Sequence, residues 1–296
     1  MKICCVGIAV QDRIFSVEEL PHEEGKFFAN NLKEQGGGPA ATAAVACARL
    51  GLEVDMIARV GNDATGNAII AELKKEGVNT DKMRIIDNAI STQASILVDK
   101  NGNRIIVSYP SPSLIPDASF MEDIDFSQYD LVLADVRWHE GALKAFELAK
   151  KHGVTTVLDA DTTPQAIDDL VALSSHSIFS KPGLTKFSEI ADIAEALKFA
   201  DKKTVGKVYV TLGSDGYSYI ENDKIIKQDG FKVKVIDTTG AGDVFHGAFA
   251  SALCLGYNTV DALRFSAATA ALKCTKAGGR SGIPSLQEVT TFYKQN

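Results

Sequence analysis

Asp237-Thr238-Thr239-Gly240-Ala241-Gly242-Asp243-Val244-Phe245-His246-Gly247-Ala248 is the stretch from which the fold can be read. Ahead of it, residues 232–236 alternate lysine with β-branched residues and predict a strand; from 241 to 256 a small, apolar run predicts a helix. A strand that passes through tiny residues into a helix leaves the first helical amides without carbonyl partners, and the helix dipole makes that end partly positive. Glycines there let an anion come close to the backbone, as a phosphate requires. Asp243 falls in the first turn and faces the same space. Beside a bound phosphate it can accept a proton from an attacking hydroxyl. Taken alone, a Gly-x-Gly-Asp reads as readily as a helix cap whose aspartate complements the dipole.

Toward the N-terminus, Gly36-Gly37-Gly38-Pro39 opens an Ala-rich helix ending near Leu50-Gly51, with proline where a first turn tolerates it. Residues 3–10 predict a buried strand; 11–35, punctuated by Pro21 and Gly25, predict short strands that cover something. A strand at 54–59 and a helix over 63–76 follow, the helix carrying Ile69, Ile70 and Leu73 on its apolar face. Strands at 91–98 and 104–109 flank Lys100-Asn101-Gly102-Asn103, a hairpin signal. Further on come strands at 131–134, 155–158, 177–179 and 207–211. Helices alternate with them at 141–152, after Pro164 and up to Ala200. That alternation predicts a mainly parallel sheet with helices on both faces. A hairpin at 217–220 and 224–228 and a helix over 259–276 complete the pattern. The expected architecture is a three-layer α/β fold, one domain over 1–296, with a small β lid from segments 11–35 and 91–110.

The 296 residues, 45% hydrophobic and 23% charged, suffice for a large core without metal or disulfide support. A formal charge of −7 speaks against nucleic acid or an anionic membrane as the main partner. Cys4, Cys5, Cys47, Cys254 and Cys274 are odd in number, form no CxxC pair and mostly lie in apolar runs. They are expected as buried thiols in a reducing compartment. No segment resembles a signal peptide and no apolar run approaches the ~20 residues of a membrane span, so the expected location is cytoplasmic. No GxxxxGK[ST] loop occurs, so a nucleotide must be held by another scaffold.

From Asp237 to Ala250 the chain resembles, at every position, the C-terminal signature of the ribokinase-like (PfkB) carbohydrate kinases. The resemblance implies a ribokinase-like fold and phosphorylation of a sugar hydroxyl by ATP with Mg2+. It makes Asp243 the base and the amides of Gly240, Ala241 and Gly242 the hole for the γ-phosphate. It also implies that Asp12 grips sugar hydroxyls and that Gly37 and Gly38 let them approach the backbone. Thr42 stands where sugar-binding members commonly carry asparagine. Thr211-Leu212-Gly213-Ser214-Asp215-Gly216 resembles the nucleotide loop, which places Thr211, Gly213 and Gly216 beside ATP. The helix over 267–276 and Gly278-Gly279-Arg280 resemble the adenine-side wall. In many members, loops matching 237–239 and 277–282 hold a monovalent cation such as K+, which points to Asp237 and Thr239. The usual Asn-x-x-Glu that helps place Mg2+ reads Ser180-Lys181-Pro182-Gly183 here. That departure leaves the metal to Asp159 or Asp161 through water, with Lys181 nearer the phosphates.

Arg137 follows the strand at 131–134, at the carboxyl end where ligands of parallel sheets bind, and Lys26 and Arg104 fall in the lid. A guanidinium fork suits a carboxylate, phosphate or sulfonate, although each cation taken separately reads as readily as a surface salt bridge. Within the family the chain is most similar to the sulfofructose kinases. The likeness runs through Gly25-Lys26, Gly36 to Thr42, Tyr109-Pro110-Ser111-Pro112, Leu133 to His139 and Gly278-Gly279-Arg280. It implies an anionic substrate, 6-deoxy-6-sulfofructose, phosphorylated at its 1-hydroxyl. Lys26 and Arg137 would hold the sulfonate, and Ser108 replaces the asparagine of those enzymes. A ribokinase, fructokinase or 2-keto-3-deoxygluconate kinase would use the same catalytic residues. A sugar- or nucleotide-binding sensor on a disabled kinase fold would have lost Asp243 or its glycines. Lids in this family sometimes pair between subunits, which implies a homodimer.

Overall fold

The first strand shows how one anchor redirects the chain. In the computed structural model, which describes residues 1–295, β1 (Lys2–Val6) lies in the main sheet. The chain leaves that sheet at Gly7 and continues as β2 (Val10–Ser16) and β3 (Asn31–Gly37) of the lid. The strand predicted over 3–10 is therefore two. Gly7 abuts the Asp135 carboxylate so closely that a side-chain carbon there would collide with it, and the Ile8 amide donates to Asp135 Oδ2 at 3.0 Å. Helix α1 (Pro39–Arg49) returns to the core, and β4 (Glu53–Ile57) pairs with β1 in parallel. The predicted strand 54–59 is also divided. Its continuation, β5 (Arg59–Gly61), passes into α2 (Ala64–Lys75) and forms a separate ribbon with β6 (Arg84–Ile86). Strands β7 (Gln93–Val98) and β8 (Arg104–Tyr109) form the expected hairpin and complete a lid sheet of order β3-β2-β7-β8.

Alternation then proceeds as the sequence predicts, through β9 (Leu131–Asp135), α3 (His139–Lys151), β10 (Thr155–Ala160), α4 (Asp168–Leu173) and β11 (His176–Ser180). It continues with α5 (Lys181–Ser188), α6 (Ile193–Asp201) and β12 (Lys207–Thr211). Strands β13 (Tyr217–Glu221) and β14 (Lys224–Gln228) add an antiparallel edge, giving the order β14-β13-β12-β11-β10-β9-β1-β4. Helices α7 (Ala241–Cys254), α8 (Thr259–Cys274) and α9 (Leu286–Gln295) follow. The strand predicted at 232–236 does not form. The segment pairs with no strand of the sheet, although β14 leaves an open edge. It is tied instead by the Ile236 and Asp237 amides to the Cys274 carbonyl, at 2.8 and 3.2 Å.

Because side chains alternate across a strand, the sheet buries both faces. Ile3, Cys5, Leu131 and Leu133 share one core with α1, α7 and α8; Cys4, Val6, Val132 and Ala134 share the other with α3 and α6. A side-chain carbon at Gly247 would press on the Ala43 backbone, so α7 and α1 meet at the closest approach that glycine permits. All five cysteines are buried and free. Among the described residues, no helix is long and apolar enough to cross a membrane. The carboxyl ends of β9, β10, β11 and β12 bring Asp135, Asp159, Ser180 and Thr211 to one edge of the sheet, where ligands of such sheets bind.

Candidate active site

Gly240 adopts a left-handed conformation (φ 73°) and caps α7, with no side chain capping that end. Ala241 N is not open: it donates to the Thr238 carbonyl at 3.1 Å and closes the turn. Of the three amides expected to face a phosphate, Ala241's is thus excluded, while those of Gly240 and Gly242 remain and Asp243's joins them. A side-chain carbon at Gly242 would meet nothing within 4 Å, so the space in front of the helix is open. Thr42 is buried with its methyl group against the Gly240 turn, so the residue found where asparagine was expected shapes the wall of the cleft.

The electrostatics at this helix end are dominated by carboxylates. Burial, then the nearby Asp159, push the Asp243 carboxyl up to about 7, and His246 acts in the opposite direction. His246 lies one turn further along α7, buried, with Nδ1 3.0 Å from Asp159 Oδ2. Burial alone would lower its pKa, but Asp159, Asp243 and Asp161 outweigh that and raise it. Asp161 accepts from Ser180 Oγ at 2.7 Å and is paired with Arg137 Nη2 at 3.0 Å. Burial works against its charge, but Ser180, the Thr162 amide and Arg137 win and hold its pKa below the usual range. Ser180 also caps α5 by accepting from Gly183 N at 3.0 Å, which sets exposed Lys181 at the helix start. Two residues expected in different roles, Arg137 for substrate and Asp161 for metal, are therefore partners.

Among the described residues, no group of three or more His, Cys, Asp or Glu side chains could hold a metal ion. Mg2+ does not need such a cage, because it reaches kinases on the nucleotide's phosphates and keeps several waters. Asp161, 36% exposed, fits a water-mediated role; Asp159, 4% exposed and engaged by His246, is closed off from it.

The side expected to take the sugar is built from the lid and α1. Asp12 shares the lid's inner face with Gln35, Ala94 and Ser108, and its carboxylate sits directly on Gly37, where a side-chain carbon would collide with it. Burial raises the Asp12 carboxyl to about 6, against the pull of Arg280. Gly38 (φ 94°) lies against the Ile8 carbonyl. Beneath this loop, Arg280 is almost wholly buried. Its Nη2 donates to the Gly37 carbonyl (2.6 Å), its Nε to Thr42 Oγ1 (3.4 Å) and its Nη1 to Glu72. Asp135 accepts from Ile8 N and Ala40 N (3.0 Å each) and from Arg137 N (2.8 Å), fixing the first turn of α1. Burial raises the Asp135 carboxyl to about 6, against those amides.

Sequence reasoning assigned no role to Asp135, His246 or Glu72, and it grouped Arg280 with the adenine-side wall, whereas its guanidinium reaches Gly37, Thr42 and Glu72. Their residue types were legible, but their partners lie on other elements. Two lid cations sit elsewhere than expected. Arg104 Nη1 donates to Thr239 Oγ1 at 3.3 Å, across to the turn before α7. Lys26 lies over the Phe28 ring, in the exposed loop beyond Ser16, whereas Ser108 is near the other end of the lid strands. The nucleotide-side glycines form tight turns: Gly213 (φ 63°) and Gly216 (φ 86°) follow Thr211, and Leu212 N donates to the Gly216 carbonyl at 2.8 Å. Gly278 N donates to Asp237 Oδ2 at 2.8 Å, Thr239 N to Asp237 Oδ1 at 2.8 Å, and Lys273 Nζ to the Asp237 carbonyl at 2.9 Å.

An α/β sheet with a separate four-stranded β sheet beside it, and a carboxylate raised to about 7 at an uncapped Gly-rich helix end, define an ATP-dependent sugar kinase. The chain belongs to the pfkB family of carbohydrate kinases, whose family model matches residues 1–286. It is 30% identical to a ribokinase of Haemophilus influenzae, over 98% of this chain and 97% of that one. A Bacillus subtilis ribokinase is 29% identical over 97% and 98%. The solved structure of an Arabidopsis thaliana ribokinase complexed with ribose and ATP superposes with a TM-score of 0.87, at 26% identity, covering 99% of this chain and 98% of that one.

Proposed function

We propose that the chain transfers the γ-phosphoryl group of ATP to the 1-hydroxyl of an anionic ketose, with 6-deoxy-6-sulfofructose as the candidate. The observation that carries this reading is Arg137. It stands two residues past β9 at the ligand-binding edge of the sheet, its side chain 38% exposed, and Asp161 engages one nitrogen of its five-donor fork. Thr42, lacking the amide common in sugar-binding members, supports a substrate other than ribose. The specific observation behind a second reading, a neutral pentose or hexose, is that curated relatives matched over nearly the whole chain are named ribokinases and deoxyribokinases.

In either case Asp12 and the Gly37–Gly38 backbone hold sugar hydroxyls, and Asp243 accepts the proton of the attacking one. The open amides and positive end of α7 face the charge that builds on the moving phosphoryl group. Lys181, at the start of α5, and the Thr211–Gly216 turn lie on the nucleotide side with Gly278. Asp161, more exposed than Asp159, would hold Mg2+ through its waters, and the ion would offset the charge of the phosphates. The lid closes over the sugar and excludes water. Its outer face carries exposed Leu32, Ile105, Val107 and Tyr109, which supports pairing of two copies through the lid.

The test is ATP consumption over sulfofructose, fructose, ribose, fructose phosphates and 2-keto-3-deoxygluconate, repeated with Arg137→Ala. Loss of a paired charge is expected to cost roughly 2–5 kcal/mol in kcat/KM on the anionic sugar while fructose turnover stays unchanged. An equal loss on both sugars rejects the role given to Arg137.

A further inference from the structure

Lys273 lies in the last turn of α8 with no exposed surface, an uncommon place for an ammonium unless it is paired. Its Nζ donates to the Asp237 carbonyl at 2.9 Å. The Asp237 carboxylate is taken as well, by the amides of Thr239 and Gly278 at 2.8 Å each. All three oxygens of Asp237 thus have donors from this chain, and the positive charge among them is a lysine's. The segments concerned, 237–239 and 277–282, are those that the family resemblance assigned to a monovalent metal ion. With the Lys273 ammonium already on the Asp237 carbonyl, a second cation at that oxygen would meet like-charge repulsion. An ammonium and K+ carry the same charge and are close in size, so the two compete for one position.

We propose that Lys273 is a built-in cation: its ammonium takes the place of the monovalent metal ion at the 237–239 turn and fixes the helix end beside Asp243 without K+. The geometry favours this role over simple packing. The carbonyl that Lys273 holds begins the turn leading through Thr238, whose own carbonyl accepts from Ala241 N, into α7. Fixing Asp237 therefore fixes the open amides. Burial lowers the pKa of Lys273, and the Asp237 carboxylate and, less, Asp243 oppose that shift without cancelling it. Lys273 is a positioning residue, since nothing places it against substrate.

The activity arm of the test rests on the sugar-kinase reading; a thermal arm does not. Wild-type turnover and melting temperature are measured in KCl and in tetramethylammonium chloride at equal ionic strength. Both are expected to be unchanged, and K+ stimulation of about tenfold or more, a coupling near 1.4 kcal/mol, overturns the proposal. Lys273→Ala opens the position. Its melting temperature is expected to fall, then to recover by a few degrees, on the order of 2–4 °C, as K+ or methylammonium saturates the vacated space. Lys273→Met fills the space without charge and is expected to melt lower than wild type and to ignore both cations. A folded Lys273→Ala that neither cation stabilises sinks the assignment. Should that variant fail to fold, the wild-type and Lys273→Met arms still decide. Should no sugar be turned over, the melting curves still report on Lys273 alone.

Discussion

Burial and the adjacent Asp159 hold a proton on Asp243 up to about pH 7, and a base must lose that proton to work. The sign follows directly. A raised carboxyl pKa means the acid form dominates below about 7, so kcat/KM is expected to fall about tenfold per pH unit on that side. It should level off above. A profile flat from pH 5 to 8 would show that Asp243 does not titrate in the catalytic step. Asp243→Asn is expected to lose turnover by roughly 10²–10⁴-fold, with the melting temperature held or raised, since the amide needs no desolvated charge. Full activity in that variant would remove Asp243 from the mechanism. His246 and Asp159 supply opposing influences on the same carboxyl, which no single-residue reading of the motif could balance.

Two glycines on different elements separate fold from chemistry. Gly38 joins β3 to α1 at φ 94°, and a side-chain carbon there would strike the Ile8 carbonyl. Gly38→Ala is expected to destabilise by about 1–3 kcal/mol, read in urea unfolding, because backbone cannot move aside as a side chain can. Gly242 meets nothing within 4 Å. Gly242→Ala is therefore expected to melt within about 2 °C of wild type and yet lose at least tenfold in kcat, since the methyl group stands where the phosphoryl group must come. Equal stability losses in the two variants would refute this division. Elements of this kind were largely readable in the sequence, because strand–helix alternation and glycine placement are local signals. Where the reading failed, the cause was tertiary. Residues 3–10 have the apolar content of one strand, but Asp135, 127 positions from Ile8, turns the chain out of the sheet. Residues 232–236 alternate like a strand yet are tied to the Cys274 carbonyl at the end of α8 rather than to the sheet edge, with Val235 and Ile236 exposed. Arg280 was read with the adenine-side wall and Lys273 only as part of a helix. Their partners, Gly37 and Asp237, are 243 and 36 positions away.

At the scale of the whole molecule, half of the lid and the floor beneath it are one piece of chain, running from β2 through β3 and Gly37–Gly38 into α1, while β7 and β8 join the lid from further on. Across the lid's outer face Leu32, Phe15, Leu97 and Ile105 stand in one row by strand register, with Val107, 62% exposed, two residues beyond Ile105. Such a surface favours pairing. Light scattering is expected to give twice the chain mass for wild type and a single chain for Val107→Asp; a monomeric wild type at micromolar concentration would dispose of the dimer. The reach of Arg280 back to Gly37 also has a consequence for biosynthesis. A ribosome delivers the lid and every strand of the main sheet before it delivers the guanidinium that finishes the sugar floor. A nascent chain can thus have both sheets complete while the Gly37 carbonyl still waits for its guanidinium partner.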